Sequence, residues 1–412
     1  MKILFVNKRI LFPTNTGGLI RTLNVVRYLA RWHDLTYLCN QQKGEESGAE
    51  RMRELGLTLE TIPWTEVSRA EWRFYRDLAW NLASPDPFNV AKDFDPALRS
   101  RAEQLLREGS FDLIVCDFVQ MARNVIELPK TAGVLFEHNV EAEIFERHAK
   151  TDSGWLRRKF MGYQAAKMRA FEGWAGKQFQ RVIAVSERDR EQYRQRYGWT
   201  HVSTIDTAVD IEYYVPQNVP RIPDSLVFVG SLDWLPNQDG LDWFVNQVWG
   251  LVRERVPTAV FRIVGRNPSP AMLALGSHPG VEVIGSVPDT RPWLAESEIV
   301  VVPLRIGGGT RLKIFEAMAM GKPVVSTTLG AEGLDVQPDR DIVLADDAER
   351  LSQRIIELLK APALREEIGT SARNLVEEKF SAEAVARQFE RICEETVATF
   401  RAARESGTGG GH

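Results

Sequence analysis

Residues 307–327 read GGGTRLKIFEAMAMGKPVVST, a glycine loop running into a short helix and then a buried apolar strand. Gly307, Gly308 and Gly309 let the backbone pass close to a ligand, and Thr310 ends the loop. The helix that follows directs its unpaired N–H groups and the positive end of its dipole back toward that ligand, which suits phosphate. Arg311 and Lys313 put full positive charges in the first turn, where they oppose the dipole and are a poor choice unless an anion lies close by. Glu316 comes roughly one and a half turns later, near enough for its carboxylate to accept hydrogen bonds from a ribose. A plain strand-to-helix turn would also account for three glycines alone; the charges attached to them favour the ligand reading.

On either side of this segment short apolar runs recur. KILFVN (2–7), DLTYLC (34–39), FDLIVCD (111–117), AGVLFE (132–137) and RVIAVS (181–186) are mostly separated by stretches long enough for a helix, the signature of a parallel α/β sheet. The pattern restarts at SLVFVG (225–230) and continues through AVFRIV (259–264), VEVIG (281–285), EIVVVP (298–303), KPVVST (322–327) and DIVLA (341–345). Leu241, Phe244, Val245, Val248, Leu251 and Val252 fall at helical spacing, a stripe fit to pack on a sheet. The fold class expected is α/β, with two doubly wound Rossmann-like domains facing a central cleft. The first covers residues 1–212. A linker over 213–225, where three prolines interrupt the periodicity, leads to the second at 226–380. A helix over 381–404, with Ser381 as N-cap, is expected to pack back on the first domain, and 405–412 form a polar glycine tail.

The 412 residues exceed what one core usually fills, which agrees with two domains. A hydrophobic content of 44%, a charged content of 26% and a formal net charge of -4 are those of a soluble globular chain and give no pull toward nucleic acid. Cys39, Cys116 and Cys393 are odd in number and far apart, so buried thiols in a reducing compartment are expected. No apolar run is long enough to span a bilayer and MKILFVNKRI enters a strand at once, so the cytoplasm is the expected location.

Ligands of open α/β sheets collect at the carboxyl ends of strands. After the first strand, KRILFPTNTGGLIRTLNVV opens a helix at Gly17 and Gly18 with Arg21 in its first turn, a second anion-facing loop. Glu137, His138 and Asn139 follow the AGVLFE strand. Gly230, Asp233 and Asn237 lie in GSLDWLPNQDG, after the first strand of the second series. Each has a plainer reading: His138 as a satisfied structural group, Gly17 and Gly18 as a helix start, Asp233 and Asn237 as turn and cap residues.

These residues resemble the retaining glycosyltransferases of the GT-B type, family 4. FEAMAMGKPVVST is similar to their donor-binding helix and strand, and FVGSLDWLPNQDGLDWF, FRIVG, IGSVPD and LFEHNVEAE resemble a branch found in bacterial polysaccharide assembly. The resemblance implies a nucleotide-sugar donor domain in the second half and an acceptor domain in the first. Glu316 matches the second acid of the family's glutamate pair, the one on the donor ribose, while Gly308 stands where the first acid is usual. Arg311 and Lys313 then become the diphosphate contacts, Val287 resembles the segment holding the base, and His138 resembles a histidine near the transferred sugar.

The resemblance further implies attack by the acceptor hydroxyl from the leaving-group side, without a protein nucleophile. The acceptor is a saccharide or a lipid-linked saccharide. No His/Asp/Glu cluster has ligand spacing, so transfer without metal and without a cofactor beyond the nucleotide-diphosphate sugar is expected. An epimerase or hydrolase on the same two domains, or a non-catalytic binding module, are the competing functions. Residues 151–181 carry Arg157, Arg158, Lys159, Lys167, Arg169, Lys177 and Arg181 among aromatic side chains. They suit either peripheral contact with an anionic membrane or a solvated helix with its aromatics packed inward, and charge runs usually mark exposed faces.

Overall fold

The computed structural model describes the chain except residues 15, 69, 129–130, 152–153, 307–310 and 409–412, and the side chains of 150–151 and 407–408. It forms two compact units, Met1–Asp206 with Val385–His412 (unit 1) and Thr207–Ala384 (unit 2).

Unit 1 holds strands β1 (Lys2–Arg9), β2 (Asp34–Gln41), β3 (Thr58–Pro63), β4 (Leu113–Asp117), β5 (Ala132–Glu137), β6 (Arg181–Ala184) and β7 (Val202–Thr204). They form one sheet in the order β3-β2-β1-β4-β5-β6-β7, every pair parallel. Parallel strands covered on both faces need continuous apolar runs, and β4 and β5 are buried at every position. β3 and β7 are the two strands that the apolar runs did not reveal. β3 reads TLETIP, is only half-buried and lies at the sheet edge, where little burial is demanded.

Unit 2 holds β8 (Ser225–Val229), β9 (Val260–Val264), β10 (Val281–Gly285), β11 (Ile299–Val302), β12 (Val324–Ser326) and β13 (Val343–Leu344), ordered β10-β9-β8-β11-β12-β13 and again all parallel. The stripe of residues 241–252 packs on this sheet as expected, with Leu241, Phe244, Val245, Val248 and Val252 buried and a π-helical turn at Phe244–Val248. Residues 213–225 belong to unit 2. Arg373 donates to the carbonyl of Tyr214 at 2.8 Å, Ile222 N–H donates to Glu296 O at 2.8 Å, and Asp224 N–H donates to the Glu298 carboxylate at 3.1 Å.

The helix Ala382–Thr408 starts where the Ser381 hydroxyl accepts from Ala384 N–H at 3.1 Å. Its later residues join unit 1 through Phe389, edge-on to Phe136 at 5.1 Å, and Glu390, paired with His33 at 2.8 Å. Cys39, Cys116 and Cys393 are free and buried, and burial pushes all three thiols up.

Three carboxyl groups are buried together in unit 1. Glu172, on the helix Trp155–Ala175, accepts from the backbone N–H of Glu141 at 2.8 Å, from that of Ala142 at 3.3 Å and from the Tyr197 hydroxyl at 2.6 Å. It thereby caps the helix Glu141–Thr151 from outside it. Burial, with Glu172 beside it, pushes Glu141 up from 4.5 to about 8. Burial also raises Glu172 to about 7, and pushes Glu137 up with the charges of Glu172 and Glu141 adding. A folded-state pKa above the unfolded value means that the native state holds the proton. This stability is complete below the unfolded value of 4.5 and is lost as pH rises through the folded values toward about 8. The thermal midpoint is expected to drop by about 5 °C or more from pH 5.5 to 8.5, and Glu141→Gln, neutral at every pH, is expected to make that drop shallower. Parallel pH profiles for the two proteins would show that Glu141 ionises normally.

Candidate functional site

A doubly wound sheet holds ligands where its strand order reverses. That reversal lies between β8 and β11 in unit 2 and between β1 and β4 in unit 1. Gly307, Gly308, Gly309 and Thr310 lie outside the described residues; the chain resumes at Arg311, which opens the helix Leu312–Ala319 with no capping side chain.

Lys313, in the first turn of that helix, meets the loop after β8. Its Nζ donates to Asn237 Oδ1 at 2.7 Å and lies 4.5 Å from the Phe228 ring centre and 5.9 Å from that of Trp234. Asn237 is buried and fixed by its own Nδ2, which donates to Ser231 O at 2.7 Å. A Cβ on Gly230 would stand 2.8 Å from Lys313 Nζ and 3.0 Å from Asn237 Nδ2, so the missing side chain makes room for the amine. Gly230, Asn237 and Lys313 thus form one cluster. Burial pushes the amine down from 10.5 to about 7, Arg311 pushes the same way, and Glu316 opposes.

Glu316, three residues on, accepts from the Tyr214 hydroxyl; burial raises its carboxyl while that bond and Lys313 pull it back. Arg311 is buried, and its Nη2 donates to Leu329 O at 2.9 Å, bracing the turn in which Gly330 N–H donates to Thr327 Oγ1 at 2.8 Å. Val287 is half-buried against the core cluster that contains Ile314 and Phe315. Asp233 accepts from Ser231 at 2.6 Å and from Asn267 at 2.9 Å, a turn role.

In unit 1, His138 follows β5 and is buried. Its Nε2 lies 2.7 Å from Asp117 Oδ1 at the end of β4. The other carboxylate oxygen, Oδ2, accepts from Asn7 Nδ2 on β1 at 2.5 Å and from Thr22 Oγ1 at 2.7 Å. A carboxylate only accepts, so Nε2 donates to it, and in the neutral ring Nδ1 is the acceptor. Nδ1 is buried with no partner and lies 3.9 Å from the position of a Cβ on Gly18. Phe118 stacks on the imidazole at 4.1 Å, and its backbone takes φ +67, uncommon for a bulky residue. Its ring would lie 2.9 Å from a Gly18 Cβ, which is why glycine stands there. Gly17 has open space around it, so a helix start accounts for that residue. Arg21 is half-buried in the first turn, its charge answered by Asp189 while burial lowers its pKa.

Asn7, Thr22, Asp117 and Tyr214 escaped the sequence reading. Asn7, near the carboxyl end of β1, and Asp117, the last residue of β4, lie on either side of the reversal, which is the signal that could have found them; Tyr214 lies within the 213–225 linker segment.

Among the described residues one group, His33, Glu390 and Glu394, brings possible metal-ligating atoms within 4.8 Å of one another. Its surroundings are already cationic: the Met1 amine lies 3.1 Å from His33 Nδ1, and Arg387 pairs with Glu390 at 2.8 Å.

Residues 16–213 match the family model described as Glycosyltransferase Family 4, and residues 223–361 match the one described as Glycosyl transferases group 1. The chain is a GT-B glycosyltransferase. The first match covers Thr22, Asp117 and His138, and the second covers the Gly230 loop and Glu316. The glycosyltransferase is 22% identical over 297 residues to an uncharacterized 44.6 kDa protein in the cps region of Klebsiella pneumoniae, 70% of this chain and 75% of that one. Over 106 residues it is 32% identical to a GDP-mannose-dependent monoacylated alpha-(1-6)-phosphatidylinositol monomannoside mannosyltransferase of Corynebacterium glutamicum, 24% of this chain and 28% of that one. Its fold is similar to that of the Anabaena protein HepE, crystallised with UDP, at a TM-score of 0.61 and 15% identity over 96% of this chain and 100% of that one.

Asp117→Asn in this glycosyltransferase turns a full acceptor into a group with its own N–H donors, facing Asn7, Thr22 and His138. The change is expected to cost about 1–3 kcal/mol in urea unfolding, because a buried donor is left without an acceptor. A cost within error of zero would contradict the network.

Proposed function

We propose that the chain transfers a hexose from a nucleoside-diphosphate sugar to a saccharide or lipid-linked acceptor, with retention of anomeric configuration and without a metal, in polysaccharide assembly. The observation that carries this reading is the Lys313 amine, taken out of water, fixed by Asn237 beside Gly230, and one helical turn from Glu316. A buried cation held by a neutral amide is an anion site waiting for its charge. The diphosphate supplies that charge, and Glu316 takes the ribose hydroxyls while Tyr214 holds its orientation. The UDP bound to HepE and the GDP-mannose used by the Corynebacterium glutamicum protein support a nucleoside diphosphate here.

Breaking the sugar–phosphate bond places negative charge on the leaving group and oxocarbenium-like charge on the ring. Lys313, the Arg311 charge and the N-terminal end of the helix Leu312–Ala319 stabilise the leaving diphosphate, the task a metal performs elsewhere. Retention rests on the family resemblance: the acceptor hydroxyl attacks from the leaving-group side and passes its proton to the departing phosphate. In unit 1 His138, oriented by Asp117, offers Nδ1 to a sugar hydroxyl, with Gly18 and Arg21, in the first turn of the helix that follows β1, for the acceptor.

The amine must be protonated to bind the diphosphate. UDP affinity in calorimetry is therefore expected to weaken by about tenfold per pH unit above the free-state value near 7, because binding takes up one proton there. Lys313→Gln is expected to lose at least about tenfold in affinity together with that slope. Titrating GDP and ADP in the same way identifies the base, and release of diphosphate only when acceptor is present separates transfer from hydrolysis or mere binding. UDP, GDP and ADP affinities all level between pH 7 and 8.5, or equal in wild type and variant, would overturn the donor assignment.

A further inference from the structure

The helix Trp72–Asn81 of unit 1 is built inside out. Its inner side consists of Phe74, edge-on to Phe88 at 5.3 Å, half-buried Leu78, and buried Asn81. Trp72, Tyr75 and Trp80 point the other way, and Trp72 and Trp80 are 67% and 74% exposed. With a helical turn every 3.6 residues these three and Arg73 and Arg76 share one face of the helix. Arg76 lies over the Trp72 ring at 5.0 Å.

The end of this helix is fastened to a second element of similar character. Tyr163 on the helix Trp155–Ala175 donates its hydroxyl to Leu82 O at 2.7 Å, and Gln164 Nε2 donates to Asn81 Oδ1 at 3.0 Å. The C-terminal part of that helix is ordinary: Phe171 is buried and Trp174 packs on the core, with Arg123 over both rings. Its beginning is not. Trp155 and Leu156 are exposed beside exposed Arg157, Arg158 and Lys159, and the Lys159 amine lies over the Trp155 ring at 5.2 Å. From Trp155 to Phe171 the sequence contains five cations and no acid.

Exposed tryptophans are costly in water unless something covers them, and monomeric proteins rarely keep such faces bare. A partner protein would be expected to meet cations with paired acids. Aromatic rings with arginine and lysine stacked on them match the boundary between acyl chains and anionic headgroups; the one acid of the Trp72–Asn81 helix is Asp77, which accepts from Arg76 at 2.8 Å, and the stretch from Trp155 to Phe171 holds none. We propose that the Trp72–Asn81 helix and the start of the Trp155–Ala175 helix dock unit 1 on an anionic lipid surface, the aromatic rings entering the headgroup boundary and the cations facing lipid phosphates. No helix among the described residues is long and apolar enough to cross a membrane, so the contact is peripheral.

The test is co-sedimentation of the full chain with vesicles of phosphatidylglycerol and phosphatidylcholine in equal parts, against vesicles of phosphatidylcholine alone. Binding to the anionic vesicles is expected to be at least about tenfold tighter and to weaken with salt. The double variant W72S/W80S and the triple variant R157Q/R158Q/K159Q are each expected to lose about tenfold, with circular dichroism unchanged. Negligible wild-type binding at low salt, or binding equal in all three proteins, overturns the proposal. So does concentration-dependent self-association that W72S/W80S abolishes, since the face would then belong to a second copy. These residues lie outside the donor loops, so the UDP response persists in both variants and failure here leaves the donor reading standing.

Discussion

A lysine amine withdrawn from water loses hydration that a neutral hydrogen-bond partner restores only in part. Lys313 is in that position: Asn237 fixes its direction, the Phe228 and Trp234 rings cover it, and Gly230 gives it space. None of these carries negative charge, and Glu316 offsets only part of the penalty. Folding bears that cost, and under the proposed function the donor's diphosphate would recover it as binding energy. The strand order of unit 2 puts this amine near its reversal point, in the first turn of the helix Leu312–Ala319.

Unit 1 solves the converse problem. Asp117 is fully buried, and its oxygens are met by Asn7, Thr22 and His138, so its cost is offset inside the protein. What remains unmet is His138 Nδ1, close to Gly18 in the first turn of the helix that follows β1. Such a network fixes a tautomer as well as a position, since the proton on Nε2 is dictated by the carboxylate. The strained Phe118 backbone belongs to the same arrangement, holding a ring against the imidazole face.

Much of this was legible from residues alone. Parallel strands buried on both faces must be written as apolar runs, which is why β1, β4 and β5 stood out and edge strand β3, reading TLETIP, did not. The charges of Arg311, Lys313 and Glu316 are what pointed to an anion in the sequence, because they sit in a helix turn that disfavours two of them. Sequence could not tell those two apart: Arg311 is tied to a carbonyl of the neighbouring turn, whereas Lys313 is held by a side chain from another strand's loop. Partners brought together by tertiary structure, such as Asp117 with His138 or Tyr214 with Glu316, leave no local pattern. The aromatic content of residues 151–181 was visible, but which rings pack inward depends on the helix they meet.

The most direct test is the titration of the Lys313 amine itself, followed by NMR in protein labelled at lysine Cε, with Lys313→Gln identifying the resonance. A pKa near 7 in the free chain and a return toward 10.5 when UDP is bound are expected. An amine that titrates near 10.5 without ligand, or whose pKa does not rise with UDP, would contradict the donor assignment.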